Sequence, residues 1–165
     1  MSEAYEKIME FVDSYRGYDY LEKNTEVFAE NKNVLEENEK TELARQLCLE
    51  GNLPLFCACV EVMGLELHVS ESVQNMYHIY EENEGIYDYL YDQKEVSEGI
   101  DFIVSKLPEK ECGTFLSEML ILAVKYRHIY VAQHLMEKGA KTDYTNRDNE
   151  SIQSLISNMK DKTMV

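Results

Sequence analysis

Apolar residues recur along this chain at intervals of three and four, the signature of amphipathic helices. Tyr5, Ile8, Met9 and Val12 form one stripe, and Leu43, Leu47 and Cys48 another. Ile100, Ile103, Val104 and Leu107 form a third, ended by Pro108, which cannot continue a helix. Leu116, Met119, Leu120 and Ala123 lead into Ile129, Val131, Leu135 and Met136. No segment alternates apolar and polar positions long enough to predict a strand. The pattern therefore predicts an all-α protein of short helices, broken at Gly- and Asn-rich joints. Such a chain builds either a globular bundle or a stack of helix pairs.

Spacing bears on that choice. Gly17, Gly51 and Gly85 are separated by 34 and 34 residues, and near-copies follow two of them: Gly17-Tyr18-Asp19-Tyr20-Leu21 and Gly85-Ile86-Tyr87-Asp88-Tyr89-Leu90. A fixed period of about 20–50 residues points to stacked supersecondary units, each too small to bury its apolar face alone.

The last third of the chain carries a sharper signal. Leu120 to Ser151 reads LILAVKYRHIYVAQHLMEKGAKTDYTNRDNES, and this run resembles an ankyrin repeat. Leu120 and Ala123 fall on the family's first helix and His128 on its Gly-His position. Val131, Leu135, Met136, Gly139 and Ala140 follow at the family's intervals. Asp143 stands where the family has Asn, and Asn146 and Asn149 where its hairpin has Asp and Gly. Glu118 and Ser151 occupy successive Thr positions, 33 residues apart. Gly139 reads as the left-handed residue that ends a helix, and Asn149 tolerates positive φ. The departures are Arg127 for the glycine between the helices, Glu118-Met119 for Thr-Pro, and Ile152-Gln153 for Pro-Leu in the next unit. Leu43 to Leu65 looks like a second copy with one extra residue before Gly64. From Gly85 to Arg127 is 42 residues, which places an insertion around 99–113. The resemblance implies a single ankyrin-like domain over 1–165, a short α-solenoid of about four to five irregular helix pairs. The alternative is a nonrepetitive helical domain ending in one such unit.

Composition narrows the class. The chain has 165 residues, with 44% hydrophobic, seven Gly and two Pro, enough apolar material for a core and too few turn formers for a sandwich or barrel. The longest apolar run, Met119 to Val124, is six residues against the ~18–20 that span a bilayer. The first ten residues hold Glu3, Glu6 and Glu10 and no apolar segment of a secretory signal. Four cysteines without regular spacing fit free thiols. A cytoplasmic protein without membrane attachment is expected.

Charge changes the picture most. The 32 acidic and 16 basic residues give a net charge of −16. Residues 1–100 carry 23 Asp/Glu and 7 Lys/Arg, whereas residues 101–165 carry 9 of each. The surplus is either a solvated surface or the complement of a basic partner, with association sped by long-range attraction. Direct binding to nucleic acid needs a basic patch and is not expected.

Chemistry-bearing motifs are sparse. Cys57 and Cys59 sit at i and i+2, pointing apart on a helix, so they read as thiols and not as a metal pair. His68, His78, His128 and His134 lack HExxH, CxxC or facial-triad spacing, and His128 has a structural place at the family's turn. No GxxxxGK[ST], GxGxxG or GxSxG occurs. No enzyme, no cofactor and no metal site is expected. Twelve tyrosines divide between two readings, helix-face core and a recognition surface.

If the stack forms, its concave face is lined by the residues before each turn and by the hairpin tips. That face would present Tyr15, Glu50, Glu84, Tyr126, Tyr144 and Arg147, with Glu81, Glu82 and Asp88 nearby. Aromatics mixed with acid suit a surface that grips a basic protein. The expected function is a noncatalytic protein-binding module, foremost a small acidic inhibitor or immunity protein that neutralises a cognate toxin such as a cationic nuclease. The alternatives are an ankyrin-type adaptor or host-manipulation protein, and an acidic mimic of DNA.

Overall fold

A computed structural model describes residues 2–14, 21–83 and 92–163. Among them the chain forms nine helices and no strand. They are α1 (Glu3–Ser14), α2 (Leu21–Asn31), α3 (Glu37–Leu49), α4 (Leu53–Met63), α5 (Val69–Asn83), α6 (Gln93–Lys106), α7 (Glu109–Lys125), α8 (Ile129–Glu137) and α9 (Ile152–Thr163). Two compact units result, one of residues 1–66 and 78–88, the other of residues 67–77 and 89–165. Helix α5 contributes its first part to the second unit and its last part to the first.

In the first unit α1 lies against α2 and α3, α2 against α4, and α3 against α4. The predicted stripes face inward: Tyr5, Ile8 and Val12 of α1 and Leu43, Leu47 and Cys48 of α3 are buried. Helix α4 is apolar on nearly every side, with Leu53, Leu55, Phe56, Ala58, Cys59, Val60 and Met63 all buried; a helix walled in by α2 and α3 has that composition. Its start is set by Asn52, whose Oδ1 accepts from the Leu55 N–H at 3.1 Å, with Pro54 in the first turn where no N–H is needed. The start of α3 is tied to the chain's beginning. Glu39 accepts from the Ser2 N–H at 2.8 Å and reaches back to the Glu36 N–H at 3.2 Å. Hydrogen bonding from Ser2, its side chain first and then its N–H, and from the Glu36 N–H lowers the pKa of this carboxyl.

The second unit packs α6 against α7 and α8, and α7 against α8 and α9. Its core includes Ile100, Ile103, Phe115, Met119, Leu122, Ala123, Val131 and Leu135. Two members of the last apolar stripe depart from it: Ile129 is 68% and Met136 46% exposed. They fall seven residues apart on the side of α8 turned away from Val131 and Leu135, so the three–four rhythm there marks a wider apolar surface than the core uses. Residues 99–113, the site of the expected insertion, form the last turns of α6, a joint at Leu107 and Pro108, and the first turn of α7. Helix α8 borrows its cap: Gln93 Oε1, from α6, accepts from the N–H groups of Tyr130 at 2.8 Å and Val131 at 3.2 Å.

The turns between α3 and α4 and between α7 and α8 are built alike. In the first, the N–H groups of Glu50, Gly51 and Asn52 donate to the carbonyls of Gln46, Cys48 and Leu47. In the second, Tyr126, Arg127 and His128 donate to Leu122, Val124 and Ala123. Every partner is 76 residues further on. The left-handed residue is Gly51 (φ 73°) in one turn and Arg127 (φ 61°) in the other. The second helices end alike as well, with Gly64 (φ 65°) and Gly139 (φ 108°) left-handed, Leu65 donating to Val60 and Ala140 to Leu135. These bonds are 75 residues apart, so α4 is one residue longer between its two left-handed ends. Gly17 and Gly85, which set the 34-residue spacing with Gly51, lie outside the described residues.

Candidate functional site

After Gly139 the chain enters a hairpin whose arms meet at an isolated bridge between Thr145 and Ser151. One side chain shapes the tip. Asn146 is buried, and its Oδ1 accepts from the N–H groups of Asp148 at 3.0 Å and Glu150 at 2.8 Å. Its N–H donates to the Glu150 carbonyl, and its Nδ2 to Glu150 Oε1 at 3.1 Å. Asn149 takes the left-handed position, φ 60°, as short amide side chains do. The hairpin is anchored to α7 by Ser117, a buried hydroxyl that accepts from the Lys141 N–H at 3.0 Å and donates to the Gly113 carbonyl. The tip is therefore a braced structure presented beside α7.

The first part of α5 stands opposite. Its N-terminus is held by a carboxylate from α7: Glu111 Oε1 accepts from the Val69 N–H at 2.8 Å, and Oε2 lies 3.5 Å from His68 Nδ1. An anion at a helix N-terminus complements the unpaired N–H groups and the dipole there. The Val69 bond, followed by the His68 imidazole, lowers the pKa of Glu111.

Between these parts of the second unit lies an open cleft of about 230 Å³. Val69, Val73 and Tyr77 line its α5 wall at helical spacing, with Ser70 and Gln74 beside them. Helix α7 adds Thr114 and Glu118, and the hairpin tip adds Asn146, Arg147 and Asp148. The Tyr144 hydroxyl donates to Glu118 Oε1 at 2.7 Å. Burial, reinforced by that carboxylate, pushes the Tyr144 phenol up to about 12. No further hydrogen bond or ion pair to Glu118 occurs among the described residues, which leaves its second oxygen unpartnered. The same holds for the Arg147 guanidinium and the Asp148 carboxylate, both exposed. At one end Lys125 Nζ lies 3.3 Å from Glu150 Oε2 and 6.0 Å from the centroid of the Tyr77 ring, tying α7 to both the hairpin and α5.

The residues expected on a binding face fall in different places. Tyr144 and Arg147 flank the cleft, and Tyr126 is half-buried at the C-terminal end of α7 in the same unit. Glu50, at the C-terminal end of α3, and Glu81 and Glu82, on the last turn of α5, are exposed residues of the first unit. Tyr15, Glu84 and Asp88 lie outside the described residues. Sequence reasoning missed Glu118, Asp148 and the Val69–Val73–Tyr77 ridge. The ridge was legible as an i, i+4, i+8 row, whereas the partnership of Glu118 with Tyr144 spans 26 residues and leaves no local pattern.

All four cysteines are free thiols. Burial raises Cys57 and Cys59 to about 12, and Cys48 also rises, through burial and then the two neighbouring thiols; such groups are poor nucleophiles and poor metal ligands. His128, 4% exposed, is pushed down by burial, which favours the neutral imidazole. Among the described residues no three His, Cys, Asp or Glu side chains converge on a metal-sized site, and no helix is long and apolar enough to cross a membrane. No protein-family description, characterised protein or solved structure matches the chain.

Proposed function

We propose that this chain is a noncatalytic protein-binding module, a short stack of helix pairs of the ankyrin kind, whose partner is a protein with a basic surface. The architectural part of that reading is supported by the two turns built on the same hydrogen bonds 76 residues apart. It is also supported by the way like helices adjoin in each unit, α1 with α3 and α2 with α4, α6 with α8 and α7 with α9. The functional part rests above all on the cleft beside the hairpin tip. There a braced frame holds charged side chains, Glu118, Arg147 and Asp148, that the protein's own groups leave available. Ordered polar groups beside an apolar ridge cost little to bring to a partner, because their frame is already fixed.

The net charge of −16 supports the sign of the partner. A surplus of that size raises the encounter rate with a cationic protein and disfavours acidic ones. The form of such a module that best uses an acidic face is an inhibitor that covers a basic functional surface, such as the cleft of a nucleic-acid-processing toxin.

Affinity retention from the native cell, followed by rate measurements on the retained protein, tests the reading. The expected partner has a basic surface, and its association rate falls at least about tenfold between low and high salt as the Debye length shortens from about 30 Å to 3 Å. An acidic or neutral partner, or an association rate flat with salt, refutes the electrostatic grip. A partner that remains bound equally well when Glu118, Arg147 and Asp148 are replaced together refutes the cleft as the site.

A further inference from the structure

Within that reading, we infer that the cleft of the second unit is an anchoring subsite for one arginine side chain of the partner protein, with Glu118 as its principal acceptor. The inference rests on the module reading and adds the residue chemistry that the cleft selects.

Three observations converge on a guanidinium. First, Glu118 is a half-buried carboxylate with one oxygen already fixed by Tyr144 at 2.7 Å and the other without a partner. The phenol sets the orientation of the carboxylate before any ligand arrives, and it does so while staying protonated throughout the physiological range, since its pKa is displaced upward. Second, Asp148 lines the same cleft with its backbone locked by Asn146, so two carboxylates border one space. A planar five-donor group satisfies two separated acceptors at once, whereas an ammonium serves as a point charge. Third, Val69, Val73 and Tyr77 offer an apolar ridge along one wall, a bed for the methylene stem that a long cationic side chain buries while its head stays polar. A cleft of about 230 Å³ has room for one such side chain and not for a folded element.

Arg147 gives the cleft its selectivity. It lines the same space and makes no ion pair among the described residues, so it opposes a second cation and favours a partner that places an acidic residue or a chain-terminal carboxylate next to its arginine. The subsite is thus polarised, with acceptors on α7 and at Asp148 and a donor beside them.

The test uses the full chain and three blocked tripeptides, acetyl-Gly-Arg-Gly-amide, its lysine counterpart and its glutamate counterpart, followed by amide shifts in NMR titration. The arginine peptide should shift residues 69–77, 114–118 and 146–148 and bind at least about threefold more tightly than the lysine peptide, and the glutamate peptide should leave Glu118 unmoved. Glu118→Gln should weaken the arginine peptide about tenfold, the size expected for losing one charge-assisted hydrogen bond. Asp148→Asn, at an exposed carboxylate without a partner among the described residues, should weaken it several-fold, and Arg147→Gln, which removes the like charge beside the acceptors, should strengthen it. Equal binding of arginine and lysine, or indifference to both carboxylate variants, overturns the subsite. Arginine-peptide shifts confined to Glu81, Glu82 and other acidic positions of the first unit overturn the subsite while leaving the acidic-module reading standing. Absence of any shift with either cationic peptide, anywhere in the chain, overturns both.

Discussion

Arg127 occupies the left-handed region at φ 61° in a turn whose counterpart, 76 residues earlier, holds Gly51 at φ 73°. A residue with a Cβ pays about 1–2 kcal/mol to sit there, and glycine does not. Replacing Arg127 by glycine removes that strain. Its exposed side chain makes no hydrogen bond or ion pair among the described residues, and the turn's backbone bonds, 3.1 Å to Val124 and 2.8 Å to Ala123, do not involve it. Against the gain stands the larger conformational freedom of glycine in the unfolded chain, about 0.4–1 kcal/mol. Arg127→Gly is therefore expected to stabilise the protein by about 0.5–1 kcal/mol, or raise Tm by about 1–4 °C for a chain of this size. Gly51→Ala runs the other way. It adds the strain in a buried position and is expected to cost about 1–2 kcal/mol. Urea titration followed by circular dichroism reads both as midpoint shifts at constant slope. The reasoning is refuted if Arg127→Gly lowers the midpoint as Gly51→Ala does, since the two turns then do not share the conformation that their hydrogen bonds describe.

Asn146→Ala removes the side chain that holds the hairpin tip and leaves the Asp148 and Glu150 N–H groups without their acceptor; a loss of about 1–3 kcal/mol is expected, with faster amide exchange confined to the tip and its anchor at Lys141. Tyr144 should titrate near 12 in NMR; because the folded value lies above the ordinary 10, the second unit keeps this contribution below pH 10 and loses it as pH rises toward 12. Glu118→Gln should lower the Tyr144 value yet leave it above 10, since burial is the larger cause. At the acid end Arg45 and Gln46 hold Glu42 at about 2. That contribution is complete above pH 4.5 and lost as pH falls through 2, and Arg45→Met should move the Glu42 titration back toward 4.5, with a small effect on stability because the pair is largely solvated.

The helices were legible because burial in each unit follows the three–four spacing that Ile8, Val12, Leu43, Leu47, Ile100 and Ile103 display. The left-handed positions at Gly139 and Asn149 were legible for a local reason, since backbone sterics admit few residue types there. Arg127 shows the limit of that rule: the turn keeps its shape by straining a residue, which no propensity announces. The cleft was only partly legible. Tyr144 and Arg147 could be read from the hairpin, but the wall opposite them is tethered by Glu111, which reaches 42 residues back to the Val69 N–H. Side-chain acceptors that cap distant helices obey geometry in three dimensions and leave no periodic trace along the chain.

Gln93 gives α8 a place in the order of events. A nine-residue helix is too short to persist alone in water, and two of its leading N–H groups find their acceptor on α6, 37 and 38 residues earlier. The first turn of α8 thus depends on a side chain of α6 as well as on α7, against which the helix also packs. Loosening α6 withdraws the acceptor of those two N–H groups, so amide exchange at Tyr130 and Val131 is expected to follow the opening of α6.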